Sequence, residues 1–146
     1  MTLFDVPVDP PAGWQRDHVE RYVETEGADG HHWRGVPTLL LTTIGRRTGK
    51  ARRTPLIYGR DGDRYLIVAS KGGSDEAPEW YRNLVTDPRV RIQVGADRID
   101  GTAHTAAPDE KRRLWTVMTG IWPAYDDYQA RTARDIPLVV IQATSG

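Results

Sequence analysis

The stretch Thr38–Ala69, TLLLTTIGRRTGKARRTPLIYGRDGDRYLIVA, decides the fold. TLLLTTI has the β-branched and aliphatic make-up of a strand buried on at least one side. GRRTGKAR is a turn punctuated by glycines, after which RTPLIYG resumes an extended pattern. RDGDR carries the Asp-Gly signal of a tight hairpin into RYLIVAS. Three antiparallel strands in succession are therefore expected. Upstream, three prolines within the first eleven residues make an irregular lead-in, followed by a helix from Trp14 to about Glu26 and a loop over EGADGHHWRG. Downstream, Pro78 opens a short helix that groups Trp80, Tyr81, Leu84 and Val85, and Asp87-Pro88 stops it. RVRIQVG and RIDGTAHTA form a second hairpin, Pro108 starts a helix with an apolar face through Leu114, Met118 and Ile121, and PAYDDYQARTAR continues as a short helix. PLVVIQA closes the chain as a strand. Six strands arranged as hairpins, with no βαβ alternation, argue against a parallel nucleotide-binding sheet and for a small antiparallel barrel with peripheral helices.

The 146 residues fit a single domain. Residues 1–34 are expected to form a lead-in and helix, and 35–146 the barrel. Composition is that of an ordinary folded protein, 38% hydrophobic and 27% charged, with a mean hydropathy of -0.58. Lys+Arg and Asp+Glu are both 20, which argues against a general nucleic-acid binder. With no cysteine, disulfides, thiol nucleophiles and thiolate metal sites are excluded. The four histidines lack metal-ligand spacing, so no metal is expected. The longest mainly apolar stretch falls far below the ~20 residues of a membrane span, and the start lacks the pattern of a signal peptide. The expected location is cytoplasmic, peripheral to a membrane at most.

The balanced charge hides a local excess. Between Gly30 and Arg60 stand Arg34, Arg46, Arg47, Lys50, Arg52, Arg53 and Arg60, with no Asp or Glu among them. Five of these cations fall within the nine residues Gly45–Arg53, where two glycines let the backbone bend close to a ligand. From charge alone this is either a solvated hairpin tip or an anion clamp; the missing acids favour the clamp. It is not an ATP-binding phosphate loop, since Ile44 and Ala51 occupy positions where that motif needs glycine and Ser/Thr. Ser70–Gly73, at a strand end, offers a hydroxyl, an ammonium and backbone N–H groups, or is simply a flexible turn. Trp122, Tyr125 and Tyr128 group on one side of the helix after Pro123 and read either as a pocket wall with phenol donors or as a satellite hydrophobic cluster. No G-x-S-x-G elbow occurs, so hydrolytic nucleophilic catalysis has no support.

Taken in order, GRRTG, TPL, ASKGG, WYRNL and the tyrosine-bearing segment before IPLVV resemble the deazaflavin-dependent nitroreductase family, whose members use reduced coenzyme F420 and include quinone reductases. The resemblance spans roughly Gly35 to Gln142. It implies a split antiparallel β-barrel of the kind found in FMN-binding and pyridoxamine-phosphate-oxidase proteins. It also implies hydride transfer from F420H2 to a small-molecule acceptor: a quinone, enone or nitroaromatic.

The same resemblance assigns roles residue by residue. Arg46, Arg47, Thr48, Gly49 and Arg52 would grip the cofactor's phosphate and polyglutamate tail. Pro55 and Leu56 would lie beside the deazaflavin ring, Ala69, Ser70, Lys71 and Gly72 would touch ring or phosphate, and Trp80 and Tyr81 would cover it. Ser70, Tyr125 and Tyr128 would donate hydrogen bonds as negative charge develops on the acceptor, while Ile57 and Trp122 would shape the acceptor pocket. Both stand where nitro-drug-activating relatives can carry tyrosine, which favours quinones or enones over nitroimidazoles. Trp14 and Tyr22 on the first helix are candidates to close the pocket. Two alternatives remain at this point: a non-catalytic F420- or anion-binding carrier, and an FMN-dependent oxidoreductase of the same barrel type.

Overall fold

A computed structural model describes residues 2–144; the outer ends of the two expected segments, residue 1 and residues 145–146, lie outside it. The chain runs through α1 (Trp14–Glu24), β1 (His32–Trp33), β2 (Val36–Ile44), β3 (Ala51–Ile57), β4 (Gly59–Asp61), β5 (Arg64–Val68), α2 (Glu79–Thr86), β6 (Arg89–Val94), β7 (Asp97–Thr105), α3 (Pro108–Ile121), α4 (Ala124–Ala130) and β8 (Leu138–Ala143). Every ladder between named strands is antiparallel.

The sheet curls because of what happens at Tyr58. The expected single strand RTPLIYG is two: β3 pairs with β2 as far as Ile57 opposite Thr38, and β4 pairs with β5 from Gly59 opposite Leu66. Strand order is β2-β6-β7-β8-β5-β4, with β3 on the other side of β2. The one-residue link through Tyr58 therefore joins the two ends of the sheet, and the structure is the split antiparallel barrel expected.

Alternation along the strands divides the core. Leu39, Leu41, Tyr65, Ile67, Ile92, Val139 and Ile141 face inward with Tyr58 and Leu84. The intervening Leu66, Val68, Leu138 and Val140 pack outward under α3 and α4, against Leu114, Met118 and Tyr125. Strands covered on both faces need apolar residues at every position, which is why β5 and β8 read as continuous hydrophobic runs. On another face α1 lays Val19 and Tyr22 on Leu40. The Tyr22 hydroxyl bonds the carbonyls of Thr38 and Gln93 and accepts from the Gly95 amide. Burial pushes its pKa up to about 12. This tyrosine pins helix to sheet; it does not close a pocket as the sequence suggested.

The proline-rich lead-in is also less irregular than expected. Val8 bridges β3 in parallel, its amide donating to Ala51 O at 2.7 Å while Arg53 N donates to its carbonyl at 2.9 Å. Asp9 then accepts two bonds from the Arg53 guanidinium, at 2.7 and 3.1 Å.

Candidate active site

The β2–β3 turn carries the cations. Arg46 is anchored: its Nη1 donates to Asn83 Oδ1 at 3.0 Å and pairs with Glu79 at 2.7 Å. The same Asn83 oxygen accepts the Arg46 amide, and Asn83 Nδ2 reaches Thr43 Oγ1. Asn83 is buried on α2, so helix and turn are locked together. Glu79 is held below the usual carboxylate range by its hydrogen bond from Arg46. Gly49, at a φ of 71°, closes the turn onto Gly45 O at 2.8 Å, a conformation that glycine adopts without steric cost. Arg53, part of the cationic run, is spent on Asp9. Arg47, Lys50 and Arg52 have no acidic partner among the described residues and are exposed. Beside them runs a groove lined by Gly45, Arg46, Arg47, Thr48, Arg52, Glu79 and Asn83.

That groove continues toward the barrel. A second depression shares Arg52, Glu79 and Asn83 with it and adds Thr54 and Trp80, with Val8, Pro10 and Gln15 forming the facing wall. Thr54 and Gln15 each adjoin a residue of a third cavity, of about 180 Å³, lined by Trp14, His18, Trp33, Thr38, Pro55, Leu56, Ile57, Val68, Ser70, Trp122, Tyr125 and Tyr128. The first two depressions are contiguous through Arg52, Glu79 and Asn83, and the third borders them in sequence at Thr54-Pro55 and Trp14-Gln15 without sharing a lining residue.

Of the residues singled out in sequence, Pro55, Leu56, Ile57, Ser70, Trp122, Tyr125 and Tyr128 line one cavity, although β3, the β5–α2 loop and α4 are far apart in the chain. Pro55 is tolerated mid-strand because β3 is an edge that pairs with β2 alone at that level. Tyr125 is 4% exposed, and burial with its neighbour Tyr128 raises its pKa, so the phenol is a neutral donor. Neither the Tyr125 nor the Ser70 hydroxyl has a protein hydrogen-bond partner among the described residues, and no fully buried side-chain polar atom there is left unpaired, so each keeps some accessible surface in a residue that lines the cavity. Trp122 Nε1 donates to the Tyr128 hydroxyl at 3.4 Å.

The Ala69–Gly73 loop is held from behind by a residue absent from the sequence reading. Arg134 donates to Ser74 O at 2.7 Å, Ser70 O at 2.9 Å and Ala69 O at 3.1 Å. A side chain at Gly73 would sit 2.9 Å from Tyr128 O, so only glycine lets this loop meet α4. Lys71 and Gly72 are exposed at the loop's rim, with Lys71 at a φ of 45°. Trp80 lines the middle groove and Tyr81 bonds Thr105 Oγ1 at 2.8 Å; both pack on the barrel core and meet edge to face at 6.3 Å. His18, Trp33 and Thr38 also escaped the sequence reading. His18 follows Trp14 by one helical turn, which places both on one face, and Arg34-Gly35, both at positive φ, form the hairpin turn that presents Trp33. His18 Nε2 and Thr38 Oγ1 share the Gly30 carbonyl at 2.6 and 2.5 Å. No group of metal-ligating side chains occurs among the described residues, and no described helix is long and apolar enough to cross a membrane.

A split barrel that carries unpaired cations on one turn and a cavity walled by aromatic side chains suits a protein that holds an anionic cofactor with a flat ring. The chain belongs to the F420H2-dependent quinone reductase family, whose family model matches residues 14–143. An F420H2-dependent quinone reductase of Mycobacterium tuberculosis is 45% identical over 130 residues, covering 86% of this chain and 87% of the relative. A solved structure described as an F420-H2 dependent reductase is 36% identical, covering 73% of this chain and 94% of its own, with a TM-score of 0.68. A putative pyridoxamine 5'-phosphate oxidase of Listeria innocua shares the fold alone: 14% identity, 86% and 93% coverage, TM-score 0.53. This chain is an F420H2-dependent reductase with reduced F420 as its cofactor. The residues present suit that molecule: unpaired cations border the groove where a polyanionic tail needs them, and two residues with unpartnered hydroxyls line the cavity that would receive the ring.

Proposed function

We propose that the protein reduces a quinone-like acceptor in the cavity formed by Ile57, Trp122, Tyr125 and Tyr128. Reduced F420 supplies a hydride, with the redox chemistry residing in its ring. Arg47, Thr48, Gly49 and Arg52 hold the anionic tail, with Arg46 bracing the turn from Asn83. Pro55 and Leu56 give the ring a flat apolar seat, which Ala69–Gly72 border. Holding donor and acceptor against each other in one cavity lowers the barrier by proximity. As the acceptor takes the hydride, negative charge grows on its oxygen, and the hydroxyls of Tyr125, Tyr128 and Ser70 stabilise that charge by hydrogen bonds, its proton coming from solvent. Ile57 and Trp122 make the acceptor wall apolar, which suits the flat apolar rings of quinones and enones.

The observation that carries this reading is the convergence of the ring-side residues Pro55, Leu56 and Ser70 with the acceptor-side residues Trp122, Tyr125 and Tyr128 on one cavity. The test is steady-state oxidation of F420H2 with menadione, an enone and a nitroarene in parallel. Saturable turnover with menadione is expected. Tight F420 binding without turnover of any acceptor would make the protein a carrier.

A further inference from the structure

Three indole rings from separate elements make one continuous wall of the acceptor cavity. Trp14, on α1, stacks on Trp33 at 5.9 Å between centroids and 15° between planes. Trp33 in turn meets Trp122, at the α3–α4 junction, at 5.6 Å and 41°. All three line the cavity. Trp122 lies beside the reacting end, near Tyr128, and Trp33 and Trp14 extend the wall away from it.

Trp33 is the fixed member of this series. It sits on a two-residue strand whose partner residue is Val36, so the intervening Arg34-Gly35 turn sets its position. Arg34 has a φ of 50° and Gly35 of 81°, the paired left-handed geometry of a tight hairpin. The Arg34 guanidinium also lies 4.7 Å from the Trp33 ring centroid, a cation–π contact that adds to the hairpin's hold on the indole. Few rotamers remain to such a ring.

We propose that Trp33 is a specificity-determining residue, favouring acceptors whose flat ring system extends beyond one ring. This deepens the acceptor reading above and rests on it. A single-ring acceptor that presents its oxygen to Tyr125 reaches the Trp122 part of the wall. A second fused ring reaches further, to the part of the wall that Trp33 fixes, and gains aromatic contact with it.

The experiment compares menadione, with two fused rings, and 1,4-benzoquinone, with one, at saturating F420H2 in the wild type, Trp33→Ala and Trp33→Phe. In Trp33→Ala, kcat/KM for menadione should fall about tenfold, chiefly through KM, and that for benzoquinone threefold or less, with F420 affinity retained. Trp33→Phe should restore most of the preference. Should Trp33→Ala fold poorly, Trp14→Ala replaces it; Trp14 is 61% exposed, and its removal should shift the preference in the same direction by a smaller factor. Equal losses for both quinones, with F420 affinity retained, would overturn the proposal. A wild type that turns over neither quinone would instead reject the acceptor reading on which it rests.

Discussion

Arg134 donates to the Ser70 carbonyl at 2.9 Å. It does so from the α4–β8 connection, and its other donors hold Ala69 and Ser74, so one guanidinium fixes the loop bearing Ser70 to the segment bearing Tyr125 and Tyr128. Thr132 reinforces this by donating to Asp75 at 2.7 Å. Replacing Arg134 by Lys removes the planar fork that spans three carbonyls, since an ammonium cannot match it. With charge-assisted bonds worth roughly 1.5–3 kcal/mol each, Arg134→Lys should lower Tm by several degrees. It should also reduce kcat more than it weakens F420 binding. Thermal melts and a split of kcat from F420 affinity check both; unchanged kcat would show that the loop keeps its place without the clamp.

The unpaired cations should carry more of the cofactor's tail than the braced one. Arg47→Ala and Arg52→Ala should each weaken F420 about tenfold or more, the loss of one charge-assisted contact, and the effect should shrink as salt screens the exposed groove. Arg53→Ala should leave F420 affinity near wild type while lowering Tm, because its partner is Asp9. Fluorescence titration at two ionic strengths decides these points.

Tyr125 is a neutral phenol with its pKa raised by burial. Tyr125→Phe removes the hydroxyl and retains the packing against Trp115 and Tyr128. Turnover should drop by roughly ten- to a hundredfold, at or below the ~10²–10³ range for loss of one oxyanion donor, with F420 affinity kept. Since the phenol stays protonated throughout the neutral range, the wild-type rate should show no break there from its ionisation. Equal losses in turnover and affinity would place Tyr125 in cofactor binding instead.

Stability should fall in acid at an identifiable cluster. Asp61 accepts from both Arg64 and Arg113, and these hold its carboxyl far below the ordinary aspartate range. A depressed folded pKa gives a contribution that is complete above the unfolded value, ~3.9 for aspartate, and fades as pH falls through the folded one. Tm of the wild type should therefore decline below about pH 4. Asp61→Asn should melt lower at neutral pH and decline less steeply in that window; parallel curves would remove Asp61 as a cause.

The hairpins were legible in sequence because alternation and Asp-Gly turns are local signals, and the cationic turn because its residues are contiguous. The split at Tyr58 was not: RTPLIYGRD is extended throughout, and only pairing with β5 in place of β2 divides it. Ser70, Trp122, Tyr125 and Tyr128 stood out as a strand-end hydroxyl and a row of aromatics with a structural reading equally open; a resemblance gave them roles, and their convergence needed the fold. Arg134 looked like any surface arginine, since carbonyls leave no mark in a sequence. Val8 and Asp9 gave no strand signal because their ladder is a single bridge and their ion pair spans 44 positions.

The central claim is that the arginine turn and the aromatic cavity are two ends of one cofactor site. A crystal structure of the F420 complex tests it most directly. The tail's phosphate or carboxylates should lie within hydrogen-bond distance of Arg47 and Arg52, and the deazaflavin should rest on Pro55 and Leu56 with its far face open toward Tyr125 and Trp122. A ring seated outside that cavity, or a tail that leaves the turn untouched, would contradict the account.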